Sequence, residues 1–257
     1  MAKIPKQKII ATLQVQKEIF GDILFEPKDH FEKTEIKTNQ PYKVQQENLN
    51  VKEPKGKMDQ LFQDQNEKWQ NSNTLDELNK LICNCTKCSL HKNRNKFVFG
   101  SGNPNADVMV IGEGPGAEED IQGLPFVGRA GKLLTDILKA IKFDRDEVYI
   151  ANIVKCRPPG NRTPLPDEMD TCIPYLKKQI ELIKPKVILC LGLTAAKGLL
   201  KKKESLTKLR GNVFKYEGIN VMVTFHPAAL LRNPNWKRDC WEDVKKFRKL
   251  YDELSNN

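Results

Sequence analysis

The chain has 257 residues, 39% of them hydrophobic and 30% charged, and carries a formal net charge of +10 at pH 7. That length fits one domain of ordinary size plus a tail, or two small domains. The longest apolar stretches, such as 108–111 and 187–191, fall far short of the roughly 20 residues of a membrane helix, so no membrane partner is expected. The N-terminus MAKIPKQKII shows no apolar run followed by a small-residue cleavage site, and a cytoplasmic, intracellular location is the expectation. Seven cysteines in such a compartment read as thiols or metal ligands rather than disulfides.

In chain order, residues 1–73 read as an N-terminal extension. Ile9, Leu13, Ile19 and Leu24 are spaced loosely like one face of a helix over 9–24, a candidate docking segment for an unidentified protein. From Phe25 to about Asn73 the chain is rich in Gln, Asn, Lys and Glu without a sustained apolar period. Such text buries too little apolar area to offset its ordering entropy and reads as a linker. Residues 1–75 carry a net charge of only +1, leaving +9 for the remainder. Positive charge concentrated there suits a polyanion-binding surface, with a plain lysine-rich solvated surface as the competing reading.

The predicted domain covers 74–257. Thr74 as N-cap, Glu77 three residues on, and Leu75, Leu78, Leu81 and Ile82 on one face predict a first helix. Four short apolar runs follow, at 107–112, 148–154, 186–192 and 220–225, continuous enough to be strands covered on both faces. Between them lie helical stripes: Leu133, Leu134, Ile137, Leu138 and Ile141, then Met169, Ile173, Leu176, Ile180 and Ile183. Alternating strands and helices predict a doubly wound α/β/α sandwich with a central four-stranded parallel sheet. In such sheets ligands bind beyond the carboxyl ends of the strands, so the loops after Ile111, Ile153, Leu191 and Phe225 are the places to search.

The first of these loops reads GEGPGAEED, then GLPFVG. Its glycines permit close backbone approach to a ligand, but Pro115 removes an amide and the acidic run 118–120 would repel a pyrophosphate, which argues against a dinucleotide fingerprint. Phe126, on this loop, suits a stacking platform for a base, with simple burial as the alternative. Asn152, inside an apolar strand, is an unsatisfied amide unless something pairs with it; a pyrimidine edge would, and so would neighbouring backbone. His226 stands at the end of the last strand and is the strongest catalytic candidate among the three histidines. The text that follows, through Leu230, Leu231 and Arg232, suits an apolar wedge entering a duplex with a guanidinium reaching for phosphate, or an ordinary turn into a short helix.

Cys85 and Cys88 form a C-x2-C pair, with Cys156 and Cys172 further on. Four thiolates hold either a structural zinc or an iron-sulfur cluster, and the spacing does not choose between them. Cys83 stands close enough to substitute for a neighbour, whereas Cys190 and Cys240 read as buried thiols.

The segments GEGPGAEEDIQGLPFVGRAGKLL, NIVKCRPPGNRTP and HPAALLR, with the cysteine order 85, 88, 156, 172, resemble the iron-sulfur uracil-DNA glycosylases, called family four. The resemblance spans about 85–254. It implies a uracil-DNA glycosylase fold and hydrolysis of the N-glycosidic bond of deoxyuridine in DNA, leaving an abasic site for base excision repair. It implies a 4Fe-4S cluster on Cys85, Cys88, Cys156 and Cys172, with structural zinc as the alternative. Phe126 would stack on the flipped uracil, Asn152 would read its polar edge, and His226 would meet the charge developing on uracil O2. Leu230 and Leu231 would fill the vacated space, with Arg232 at the phosphates. Gly112 and the Glu113–Gly114 backbone would lie against the base. Better-known uracil glycosylases carry an Asp where this chain has Gly114, which leaves Glu113 and Glu119 as the carboxylates for the water; Glu113 is favoured, and Glu119 would brace the loop by bonding Asn161. A variant branch captures the sugar with a histidine in an inserted basic loop; no such histidine follows Lys155 here, so ordinary turnover is expected. The partner is uracil-containing DNA and the protein a monomer. A non-catalytic nucleic-acid-binding module and a cluster-dependent oxidoreductase are the competing classes, disfavoured by the joint presence of Phe126, Asn152 and His226 and by the lack of a nucleotide fingerprint.

Overall fold

The computed structural model describes residues 68–256. The expected helix at 9–24 and most of the expected linker lie outside these residues. The folded unit begins earlier than the boundary expected at 74. A 3-10 turn, Lys68–Asn71, places Trp69 at 8% exposure in the core, its ring edge-on to Tyr175 at 4.9 Å. A single aromatic in polar text gives no periodicity, so its burial was invisible to pattern reading.

Helix α1 (Leu75–Ile82) is capped as expected: the Thr74 hydroxyl accepts from the Glu77 amide, and Glu77 accepts from the amide of Asn73. Leu78 and Ile82 are buried, but Leu81, assigned to the same face, is exposed. With a helix of barely two turns, the side chain three residues beyond Leu78 lies on the edge of the stripe.

Strands β1 (Ser101–Gly102), β2 (Val108–Gly112), β3 (Tyr149–Asn152), β4 (Val187–Leu191), β5 (Val213–Tyr216) and β6 (Ile219–Thr224) form one sheet in the order β1-β3-β2-β4-β6-β5. The four predicted apolar runs are β2, β3, β4 and β6, and they pair in parallel as expected. Two short edge strands extend the four-stranded centre to six. Both run antiparallel to their neighbours, β1 to β3 and β5 to β6. Neither makes an apolar run in the sequence, because β1 is two residues long and β5 is largely exposed.

The continuous apolar text of the central strands is used on both faces. Val108 and Val110 of β2 point to a core with Leu134, Ile137 and Leu138 of α3 (Arg129–Ala140) and Val244 and Phe247 of α8 (Lys237–Ser255). Met109 and Ile111 point the other way, to a core with Ile173, Leu176 and Ile180 of α4 (Pro166–Ile183), Ala195, Ala196 and Leu199 of α5 (Leu193–Leu200) and Leu209 of α6 (Leu206–Leu209). This is the period-2 alternation of a strand with no solvent face. The chain leaves β2 toward α3 on one face and β3 toward α4 on the other. Neighbouring connections that part in this way open a crevice beyond the carboxyl ends of their strands. No helix among the described residues is long and apolar enough to cross a membrane.

Candidate active site

That crevice holds a cavity of about 390 Å³, lined by Glu113, Gly114, Glu119, Phe126, Asn152, Asn161, Arg162, His226 and Arg232 among others. The structure thus brings residues from three strand ends, separated by over a hundred positions in sequence, to one place.

The loop after β2 forms the first wall. Its short helix α2 (Ala117–Gln122) starts at Gly116, and Glu119 folds back over that start. One carboxylate oxygen of Glu119 accepts from the amides of Val127 (2.9 Å) and Gly128 (3.0 Å), the other from the amide of Gly116 (3.1 Å). Glu119 therefore braces the loop, but not through Asn161. Asn161 instead accepts from Arg157 Nε at 2.8 Å, because the carboxylate is already surrounded by backbone donors. Glu113, with no side-chain hydrogen bond among the described residues, is the carboxylate left free to act at the cavity.

Phe126 sits at φ 53°, a left-handed conformation that costs a non-glycine residue about 1 kcal/mol or more. Its neighbours hold it there. The Arg145 guanidinium donates to the carbonyl of Pro125 at 2.7 Å, and the Phe126 carbonyl lies so close to Gly131 of α3 that any Cβ there would overlap it. At Gly112 a Cβ would come within 2.6 Å of the Phe126 ring tip and would also strike Asn152 Oδ1. The role found for Gly112 is thus to let an aromatic ring and a carboxamide meet over the strand end.

Asn152, the last residue of β3, is 2% exposed, and its Oδ1 has no hydrogen-bond partner. Of the two readings open from sequence, pairing with neighbouring backbone is not found for this oxygen. A buried acceptor left empty costs about 1–3 kcal/mol until something donates to it.

His226 is the N-cap of α7 (Pro227–Arg232), and its ring lies 5.4 Å from that of Phe126, tilted by 31°. Its Nδ1 accepts from the amide of Ala228 at 3.2 Å, which places the single proton of the neutral ring on Nε2 as a donor. Burial, reinforced by the positive charge of Arg232 and opposed by Glu119, pulls the imidazole down to about 4, so the ring is neutral at physiological pH.

On α7 the two leucines separate. Leu231 is 45% exposed, but Leu230 is fully buried in the core shared with α3 and α8 and cannot enter a duplex. Consecutive helical positions are about 100° apart, so one wedge residue facing out requires its neighbour to face in. Arg232 is exposed at the cavity rim.

The loop after β3 forms the second wall, and here pattern reading passed over three residues. Arg162, beside Asn161, lines the cavity and is gripped by the buried Glu168 through two nitrogens at 2.7 and 2.8 Å. Glu168 also accepts from Ser89 and from the Leu165 amide; these bonds, led by Arg162, hold its carboxyl down to about 2. Lys155 is fully buried, and desolvation lowers its ammonium to about 8 against the opposing pull of Cys172. The only signal for it was a lysine inside the apolar run NIVKC.

Cys85, Cys88, Cys156 and Cys172 converge behind this wall, within electrostatic reach of one another. Three of the sulfurs face hydrogen-bond donors: Cys156 faces Arg94 (3.2 Å), Cys172 the Lys155 amide (3.3 Å) and Cys85 the Tyr175 hydroxyl (3.3 Å). Donors aimed at sulfur stabilise thiolate ligands, so the chemistry of this set fits a metal centre. Among the described residues no three His, Cys, Asp or Glu side chains are close enough to hold one ion. Cys83 bonds back to its own helix, and Cys190 and Cys240 are buried in the core, as expected.

Fold and cavity together define the class: a doubly wound α/β protein with a strand-end pocket bounded by an aromatic face, a carboxamide and a neutral imidazole. The family model of the uracil DNA glycosylase superfamily matches residues 99–245. The chain is 48% identical over 183 residues to the type-4 uracil-DNA glycosylase of Thermotoga maritima, covering 68% of this chain and 95% of that one. It is 46% identical over 186 residues to that of Sulfurisphaera tokodaii (69% and 84%) and 41% over 185 to that of Archaeoglobus fulgidus (69% and 93%). The chain belongs to the uracil-DNA glycosylase superfamily, in its type-4 branch.

Proposed function

We propose that the protein excises uracil from DNA by hydrolysing the N-glycosidic bond, the opening step of base excision repair. The observation that carries this reading is the empty Oδ1 of Asn152, buried in a cavity between Phe126 and His226. A pyrimidine flipped out of the stack would lie on Phe126 and give its ring N–H to that oxygen. The free Nε2–H of His226 is the donor for the carbonyl on which charge develops as the bond breaks. The bonding electron pair departs with the uracil nitrogen while a water oxygen adds to the sugar carbon, and Glu113 is the carboxylate positioned to orient that water and take its proton. Leu231 would occupy the space the base vacates, with Arg232 and Arg162 at the phosphates.

A 4Fe-4S cluster is the group we assign to Cys85, Cys88, Cys156 and Cys172. Four thiolates supply one ligand to each iron of such a cluster, and the donors facing three of them suit sulfur that keeps its charge. Bound there, such a cluster would crosslink the segment before β1, the loop after β3 and α4, and the loop after β3 supplies Pro158, Asn161, Arg162 and Thr163 to the cavity wall. The folded unit acts as a monomer, with the chain ahead of Lys68 as an extension suited to docking another protein.

A gel assay tests the reading: the full chain should cleave a uracil-containing oligonucleotide after alkali treatment and leave the thymine control intact. Equal binding to both without cleavage would instead fit a non-catalytic nucleic-acid-binding module.

A further inference from the structure

Lys155 has no exposed surface and, among the described residues, no carboxylate partner. Its Nζ donates to the carbonyl of Asn152 at 3.0 Å and to Gln179 Oε1 at 2.6 Å. An ammonium is costly to bury on neutral acceptors alone, and an apolar side chain of similar length would fill the space without that cost. Packing therefore does not account for a lysine here.

The geometry of β3 shows what the ammonium does. The Ile153 amide points toward β2, where it donates to the Gly112 carbonyl at 3.0 Å. Across a trans peptide the Asn152 carbonyl must point the opposite way, toward the β1 side of the sheet. Strand β1 reaches only Tyr149 and Ile150, so no strand partner exists there for Asn152. Lys155 Nζ takes the place of the missing strand. Gln179 of α4 anchors it in turn, donating to the Phe99 carbonyl at 3.0 Å and the Tyr149 hydroxyl at 3.4 Å.

We propose that Lys155 is a positioning residue for base reading: by fixing the Asn152 backbone at the end of β3, it keeps the unpaired carboxamide oxygen aimed at the base without touching the substrate. This rests on the reading of Asn152 given above. The same residue spans the two pockets, since its backbone amide faces Cys172 Sγ while its side chain holds Asn152.

A double-mutant cycle on the full chain tests it, with single-turnover excision from a uracil-containing single strand measured for wild type, Lys155→Met, Asn152→Ala and the pair. Lys155→Met alone should slow excision by about ten- to a hundredfold, the scale of an ångström-level misplacement. In the Asn152→Ala background the same change should cost less than about threefold, because the residue it positions is gone. An equal factor in both backgrounds, or no loss in either, would overturn the proposal. If Asn152→Ala itself excises at the wild-type rate, it is the base-reading role that fails, a separate and recognisable outcome. Melting temperature and iron content of each variant report folding and the cysteine site. Should Lys155→Met not fold, Lys155→Gln replaces it in the cycle. Its amide offers the carbonyl a donor, so its loss should be smaller and again confined to the background in which Asn152 is present.

Discussion

The base pocket and the cysteine pocket stand back to back at the carboxyl edge of one sheet, and their polar atoms are treated in opposite ways. In the cysteine pocket most of the framework closes on itself, with the buried Trp69 Nε1 the exception: Arg94 meets Cys156 and the carbonyl of Cys85, Tyr175 meets Cys85, and Glu168 ties Ser89 to Arg162. In the base pocket Asn152 Oδ1 is empty, Glu113 has no bonded partner among the described residues, and His226 spends one nitrogen on its own helix and leaves the other free. Buried groups left unpaired cost stability, which a ligand that pairs them returns as binding and selectivity. One pocket is therefore built to hold the fold, and the other is held open at the fold's expense. Damage to the first should register as lost stability and damage to the second as lost activity.

The largest effect is expected at the base pocket. Asn152→Ala should lower uracil excision by about two to three powers of ten, since a site built to hydrogen-bond its substrate is left without that bond. Its melting temperature should stay within about 2 °C of wild type, because the oxygen removed made no bond in the free protein. A large drop in melting temperature would place Asn152 among the structural residues and break the contrast.

His226→Ala should slow single-turnover excision on the order of a hundredfold while affinity for uracil-DNA changes less than about tenfold. The pH profile sharpens the point. The folded-state value of the ring lies near 4, below the ordinary value of about 6.5, so the unfolded chain binds the proton more readily. The stability contribution of this residue is therefore intact above about 6.5 and declines as the pH falls from there toward 4. Excision that depends on the neutral ring should be flat from pH 8 to about 5. A rate climbing as pH drops through 6.5 would identify an imidazolium acid instead.

Next in size is the frame of the cysteine pocket, which Trp69 helps to cover through its edge contact with Tyr175. A chain beginning at Lys68 should melt with the full-length protein. One beginning at Thr74 should lose about 2 kcal/mol, roughly 4 to 8 °C, from the buried indole alone. Excision per folded molecule should match in the two. Unequal specific activity would show that the two pockets are not separable in this way.

The smallest effect belongs to Leu231. Its replacement by alanine should leave stability within about 0.5 kcal/mol and lower excision from duplex about tenfold, with less than threefold change on single strands. Leu230→Ala is the control, expected to cost about 2–5 kcal/mol as a core truncation. Interchanged outcomes would reverse the assignment of the two leucines.

Much of this contrast was legible before any coordinates. The four central strands announced themselves because both of their faces are covered, which leaves runs such as VMVI and VILCL without polar interruptions. Asn152 and His226 stood out for the same reason, as polar residues where those runs require apolar ones or end. What pattern reading missed lacked a repeating signal. Strand β1 is too short to alternate, β5 is an exposed edge, and Trp69 is a lone aromatic in polar text. Glu119 braces its loop through the amides of Gly116, Val127 and Gly128 rather than through Asn161, and backbone amides leave no trace in a list of side chains.

The sequence by itself determined the doubly wound α/β domain, the strand ends that line the cavity, and the cysteines and polar residues that stand out against their surroundings. These follow from local rules: the period of apolar residues, the chemistry of glycine and capping residues, and the placement of polar groups against that period. Only the tertiary structure decided which of two adjacent leucines is free to leave the surface, which amides occupy Glu119, which proton His226 keeps, and that a buried lysine holds the carbonyl behind the base-reading asparagine. Each of these depends on where a second, distant segment lies, Gly131 beneath Phe126 or Gln179 beside Lys155, and separation in space between such segments is fixed by packing rather than by any local pattern.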